Sequence, residues 1–87
     1  MTKALSLHDK KIGVVMEFKW EDGFIIATRI EEDGAVVVSA NAAGLRSLAN
    51  HFLALADDVS KGAHFHLDKF NALEEHSVEL IVEKTPE

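Results

Sequence analysis

Residues 41–59 read NAAGLRSLANHFLALADDV, and their apolar members recur mostly at intervals of three and four positions. These apolar residues are Leu45, Leu48, Ala49, Phe52, Leu55, Ala56 and Val59. Three polar residues lie elsewhere on the helical wheel: Arg46, Asn50 and His51. Such spacing is typical of an amphipathic helix. We therefore predict a helix over 41–58, with Asn41 as its N-cap and Gly62 as a stop signal beyond it.

Before the helix, three stretches have the character of strands. From residue 12 to residue 20 every second residue is apolar, which is the period of a strand with one face on a core. Residues 24–29 and 35–39 are rich in apolar and β-branched residues. The intervening tripeptides, Glu21-Asp22-Gly23 and Glu32-Asp33-Gly34, each end in a glycine. Glycine readily adopts the positive φ of a tight turn, so both tripeptides are predicted turns.

After the helix, the two-residue period returns twice. Over 63–68, apolar residues point to one side of a predicted strand and polar residues to the other: His64, His66 and Asp68. Over 77–84, the side predicted to face solvent carries Glu79, Ile81 and Glu83. The connector 69–76 is polar, with two apolar residues as its expected anchors, Phe70 and Leu73.

The summed order is β-β-β-α-β-β. We predict an α+β fold in which a mostly antiparallel sheet of about five strands carries the amphipathic helix on one face. A chain of 87 residues is expected to form one domain. We place that domain at 11–84, after a loose leader at 1–10 and before a short tail at 85–87.

Charge and composition exclude several classes of partner. Fifteen acidic and nine basic residues give a formal net charge of −6. Nucleic acids and anionic membranes require the opposite balance, so neither is an expected partner. The charge would attract a basic protein, although it also simply keeps a small domain soluble. The sequence has no cysteine, signal peptide or apolar run of membrane-spanning length, so we expect a cytoplasmic protein without disulfides.

The best candidates for metal chemistry are the two histidines of the 63–68 strand. Side chains two apart on one face of a strand lie within about 7 Å, so His64 and His66 could reach one metal ion. Asp68 lies on the same side, and Glu79 and Glu83 would share that face if the last strand pairs nearby. Two imidazoles and a carboxylate suit zinc or iron. Exposed histidines on a strand are also commonly no more than solvated side chains.

Other chemistry has little support in the sequence. The serines lack the Gly-x-Ser-x-Gly context of a nucleophile elbow. The glycines are dispersed and form no phosphate-binding loop. The acidic pairs fall in predicted turns, helix ends and loops, where charge is usually solvated. We therefore expect no catalytic residue and no cofactor.

Apolar residues also fall on the predicted solvent side of the sheet: Val15, Ile25 and Ile81. With His64, His66, Glu79 and Glu83 they would form an acidic face with an apolar centre. A mixed face of this kind suits protein recognition better than catalysis. Scattered surface aliphatics or a homodimer interface are the alternatives.

Several segments between residues 36 and 84 together match a known pattern. They are Asn41-Ala42-Ala43-Gly44-Leu45, Leu48-Ala49, Gly62-Ala63-His64-Phe65-His66-Leu67-Asp68, Leu73-Glu74 and Ser77-Val78-Glu79-Leu80-Ile81-Val82-Glu83. This half of the chain resembles the immunity protein 32 family of bacterial polymorphic toxin systems. The resemblance implies a small cytoplasmic protein, encoded beside a toxin, that binds the toxin and blocks it.

The leading hypothesis is a non-enzymatic binding module that neutralises a cognate, basic toxin by steric occlusion. The candidate partner-binding residues are His64, His66, Asp68, Glu79 and Glu83. Two alternatives stay open: a small metal-binding domain that uses His64 and His66, and a homodimeric structural or regulatory module. A further possible interface is the exposed side of the helix, at Arg46, Asn50 and Asp57.

Overall fold

A computed structural model of the chain describes residues 19–86. In chain order the elements are β1 (Ile26–Ile30), β2 (Val36–Ala40), α1 (Ala42–Asp57), β3 (His64–Leu67) and β4 (Leu80–Glu83). The fold is therefore α+β, as the sequence predicts. The predicted leader at 1–10 lies outside the described residues, and so do residues 12–18 of the first predicted strand, 12–20. None of the helices in the described part of the chain is long and apolar enough to cross a membrane.

The prediction of a single five-stranded sheet is wrong for the described residues. Their four strands form two antiparallel pairs, β1 with β2 and β3 with β4. The segment before β4 runs beside β1, where the amides of Glu74 and Val78 donate to the carbonyls of Ile26 and Thr28 at 2.8 and 3.3 Å. The Thr28 amide, however, donates to the Ser77 hydroxyl at 3.1 Å. A side chain thus takes the place of a backbone partner, and the ladder is interrupted between the two pairs.

The predicted turns and helix cap are confirmed. The amide of Gly34 donates to the carbonyl of Glu31 at 2.8 Å, and its φ of 93° lies in the left-handed region that glycine tolerates. Asn41 caps α1, because its Oδ1 accepts from the Gly44 amide at 2.8 Å. The same oxygen accepts from the Ile25 amide at 3.0 Å. One side chain therefore fixes both the start of the helix and its position beside β1.

Helix α1 buries a face that is rotated from the predicted apolar stripe and shares only Leu48 and Leu55 with it. Its buried residues are Gly44, Ser47, Leu48, His51 and Leu55. Leu45 and Phe52, predicted for the core, are 55% and 48% exposed, and His51, predicted for the polar side, is fully buried. The rotated face is consistent with the close approach of Gly44 to the start of the hairpin, where a Cβ atom would lie 2.5 Å from the carbonyl oxygen of Ile25, just before β1. That contact turns the glycine side of the helix toward the hairpin.

Two buried polar side chains of α1 make hydrogen bonds that offset part of the cost of their burial. The Ser47 hydroxyl donates to the Ala43 carbonyl and accepts from the Glu21 amide, both at 2.8 Å. The Nδ1–H of His51 donates to the Ser47 carbonyl at 2.7 Å. The His51 ring also packs edge-on against Trp20 and Phe65, with centroid distances of 4.3 and 5.3 Å. His51 therefore connects α1 to the buried aromatic residues Trp20 and Phe65.

Replacement of Gly44 by alanine tests the close approach. Alanine favours a helix by about 1 kcal/mol over glycine. At this position the new methyl group would collide with backbone and with the Ile26 side chain at 2.9 Å. We expect Gly44→Ala to lower the free energy of unfolding by about 1–3 kcal/mol, measured by urea denaturation. The control Asn50→Ala, in the same helix without that contact, should be neutral or stabilising; equal effects of the two variants would contradict the packing.

The burial of His51 predicts a pH dependence of stability. Burial lowers the pKa of His51 below its ordinary value of 6.5, and the hydrogen bond to Ser47 only partly offsets this. Below that value the unfolded chain takes up a proton that the folded chain does not. The free energy of unfolding should therefore fall as the pH drops from 7 toward 5.

Urea denaturation of His51→Gln across this pH range isolates the contribution of His51. The variant is less stable throughout, because it loses packing, but its stability should depend less on pH than that of the original chain. His76→Asn is the control, since His76 is exposed and its φ of 42° is one that asparagine also tolerates. A pH dependence unchanged by His51→Gln would show that another group is responsible.

Candidate functional site

The two histidines of β3 lie on its exposed face. In the β3–β4 register, His64 is opposite Glu83 and His66 is opposite Ile81. Directly opposed residues share one face of a sheet, and all four side chains are exposed. The alternate residues of β3, Phe65 and Leu67, are buried on the other side. We call the exposed set, His64, His66, Glu79, Ile81 and Glu83, the histidine face.

Hydrogen bonds orient both imidazoles. The Nδ1–H of His66 donates to Oε2 of Glu79 at 2.9 Å, and the Nδ1–H of His64 donates to the Gly62 carbonyl at 2.8 Å. The two ring centroids lie 5.0 Å apart. With Nδ1 as the donor, the neutral form of each ring carries its lone pair on Nε2. The face therefore offers two oriented acceptors next to carboxylates, an arrangement able to receive hydrogen bonds from a basic surface.

The two-residue pattern predicts Asp68 on the same strand face as His64 and His66. In the structure Asp68 lies just beyond the last residue of β3 and organises a turn. Its Oδ1 accepts from the Phe70 amide at 2.9 Å, and its carbonyl accepts from the amides of Ala72 and Leu73 at 3.0 and 2.9 Å. Among the described residues, Asp68 makes no hydrogen bond to either histidine. It lies at the edge of the histidine face, in a shallow depression that Glu79 also lines.

The metal alternative requires at least a third ligand beside His64 and His66. Within residues 19–86 no group of three or more histidine, cysteine or acidic side chains is placed to hold a metal. His51, which the sequence leaves available as a further ligand, is buried in the core and packs against Phe65, on the opposite side of β3 from His64 and His66.

Several exposed apolar residues escape the sequence analysis. Phe70, expected to anchor the connector, is 85% exposed, and the Lys69 Nζ lies 5.3 Å from its ring centroid. Only its companion Leu73 is buried. The β1–β2 hairpin exposes Ile30, Val36 and Val38. The β-branched composition of β2 predicts a strand, but the sequence does not show which strand lies at an edge of the sheet and therefore which apolar side chains are exposed.

The fold and the histidine face define a small α+β protein with an exposed, mostly polar surface on its β3–β4 sheet. The model of the immunity protein 32 family matches residues 35–85, more than half of the chain. The chain belongs to this family. The matched region contains β2, α1, β3 and β4, and with them the entire histidine face. A search of curated proteins and a search of solved structures each found no match.

The His66–Glu79 pair should contribute little to stability, because both side chains are about half exposed. We expect Glu79→Gln to change the free energy of unfolding by no more than about 1 kcal/mol, measured by urea denaturation at pH 7. The contrasting control is Leu67→Ala, which removes a buried side chain of β3. We expect it to lower the free energy of unfolding by about 2–5 kcal/mol. Comparable losses in the two variants would assign the glutamate a structural role.

Proposed function

We propose that the chain is an immunity protein that binds a cognate toxin in the bacterial cytoplasm and neutralises it by steric occlusion. The observation that carries the proposal is membership of the immunity protein 32 family over residues 35–85. Occlusion requires only that the chain has a surface complementary to the toxin. A bound protein that covers the active site of a toxin keeps the substrate of the toxin out. No catalytic residue is required of the inhibitor, and we propose a non-enzymatic role.

The histidine face is the proposed contact surface. Its apolar centre is Ile81, which is 51% exposed, and its polar surround is His64, His66, Glu79 and Glu83. An apolar centre with a polar rim is the usual anatomy of a protein interface. Asp68 lies at the margin of this surface and is included in the proposal as a flanking contact.

Charge supports a basic toxin as the partner. The net charge of −6 favours encounter with a positively charged protein, and the two carboxylates of the histidine face would meet its basic side chains. This attraction acts mainly on the association rate and weakens as salt is added. Binding to the toxin should therefore slow on addition of salt, with a smaller effect on dissociation.

Reversal of the two glutamates tests the proposed surface. We expect the double variant Glu79→Lys and Glu83→Lys to weaken binding to the protein encoded by the neighbouring gene by at least about tenfold, because two attractions become repulsions. Isothermal titration calorimetry with a catalytically inactive form of that protein gives the affinity. Circular dichroism establishes that the double variant stays folded.

The matched control carries the same change of charge on a different part of the surface. Asp57→Lys with Glu74→Lys alters two other exposed carboxylates, one at the end of α1 and one beside β1. Its affinity should stay within about threefold of the original. If the control loses affinity and the histidine-face variant does not, the interface lies elsewhere. If the original chain does not bind the neighbouring-gene protein at all, the proposed function is wrong.

A further inference from the structure

The outer edge of β2 presents backbone groups that β1 does not use. In the hairpin, the Glu31 amide donates to the Ala35 carbonyl and the Asn41 amide donates to the Ile25 carbonyl. Hydrogen-bonded and non-hydrogen-bonded pairs alternate in an antiparallel ladder. The register then makes Thr28–Val38 and Ile30–Val36 non-hydrogen-bonded pairs. The N–H and C=O groups of Val36 and Val38 therefore point away from β1.

The opposite edge of the hairpin supports this assignment. Ile26 and Thr28 are the β1 members of non-hydrogen-bonded pairs, so their carbonyls point away from β2. These carbonyls accept from the amides of Glu74 and Val78. No segment among residues 19–86 pairs in this way with β2. One edge of the hairpin is thus completed by the chain itself, whereas the other edge is open in the described part of the protein.

The β2 edge also lacks the features that usually protect an exposed strand. Its sequence, VVVSA over Val36–Ala40, contains no charge and no proline, and its five pairs with β1 run in register without a bulge. Natural edge strands commonly carry lysine, proline or a bulge to prevent pairing with other chains. An unprotected, β-branched edge is suited to receiving another strand.

The surroundings of the edge indicate the chemistry of that strand. Ile30, Val36 and Val38 lie on one face of the hairpin, and the first two are 60% and 61% exposed. The adjoining turn carries the exposed acidic residues Glu31, Glu32 and Asp33, and Arg29 forms an ion pair with Glu31, so the turn keeps a net negative charge from the other two. A strand paired with β2 would place every second side chain next to the apolar residues Val36 and Val38. One end of that strand would lie beside the acidic turn.

We propose that the β2 edge binds an extended segment of the toxin that carries alternate apolar residues and a basic end. The proposal rests on the proposed function, since it takes the toxin as the partner, and it adds the mode of binding. A basic segment is favoured over the β2 strand of a second copy, because two copies that each carry a net charge of −6 would repel one another. Pairing at β2 and contacts at the histidine face are separate parts of one interaction.

Amide exchange measured by NMR on the unaltered chain tests the pairing directly. In the free protein, the amides of Val36 and Val38 should exchange quickly, and those of Val37 and Ser39, which bond to β1, should exchange slowly. On addition of the inactive neighbouring-gene protein, Val36 and Val38 should become protected by at least about tenfold. Binding that leaves their exchange unchanged would overturn the proposal, because a side-chain contact alone does not protect alternate amides.

A proline at position 38 provides the second test. Val38→Pro removes an outward N–H and leaves the bonds to β1 in place, and proline is tolerated at strand edges. We expect affinity for the neighbouring-gene protein to fall by at least about tenfold, whereas Val38→Thr, which keeps the N–H and the branched shape, should stay within about threefold. Circular dichroism monitors folding of both variants, and the exchange measurement stands on its own if the proline variant does not fold.

The outcomes separate the two proposals. If the original chain does not bind the neighbouring-gene protein, the proposed function fails and the edge proposal fails with it. If the original chain binds and Val38→Pro binds equally well, only the edge proposal is wrong. If sedimentation shows a dimer of the original chain that Val38→Pro converts to a monomer, the edge pairs with a second copy and the toxin-strand proposal is overturned.

Discussion

Helix α1 meets the β1–β2 hairpin at Gly44, which lies against the Ile25 carbonyl just before β1, and the packing of the helix follows from this contact. Only a residue without a Cβ atom can lie this close to the Ile25 carbonyl. The contact sets the rotation of α1, and the rotation carries Ser47 and His51 into the interior. Both side chains donate hydrogen bonds to carbonyl groups within the helix. The Ser47 hydroxyl also accepts from the Glu21 amide, which connects the helix to the segment before β1.

The position of the helix also decides which surfaces stay exposed. Phe65 and Leu67 of β3 are buried in the core with Leu48 and Leu55 of α1, so the alternate residues of β3 face solvent. The histidine face results from this two-residue alternation. The β2 edge has another origin, because the segment that completes the hairpin joins β1 and leaves β2 as the outer strand. The two surfaces therefore follow from different features of the same packing.

Local patterns in the sequence predict local features well. The turn at Gly34, the cap at Asn41 and the opposite faces of β3 each depend on residues close together in the chain. The rotation of α1 could not be predicted in this way, because apolar residues cover much of the helix and burial of Ser47 requires an amide from a distant segment. The interruption between the two sheets depends on the Ser77 hydroxyl reaching β1, and the turn that Asp68 closes places Asp68 at the margin of the histidine face. Strand order, which exposes the β2 edge, is likewise a property of distant contacts.

Neutralisation of a toxin by this chain can be measured as growth of bacteria that produce the active neighbouring-gene protein. We expect this protein alone to stop growth and co-production of the chain to restore it. Restoration should require equimolar amounts, since occlusion consumes one inhibitor for each toxin molecule. Continued growth arrest in the presence of excess folded chain would show that the chain does not neutralise this protein.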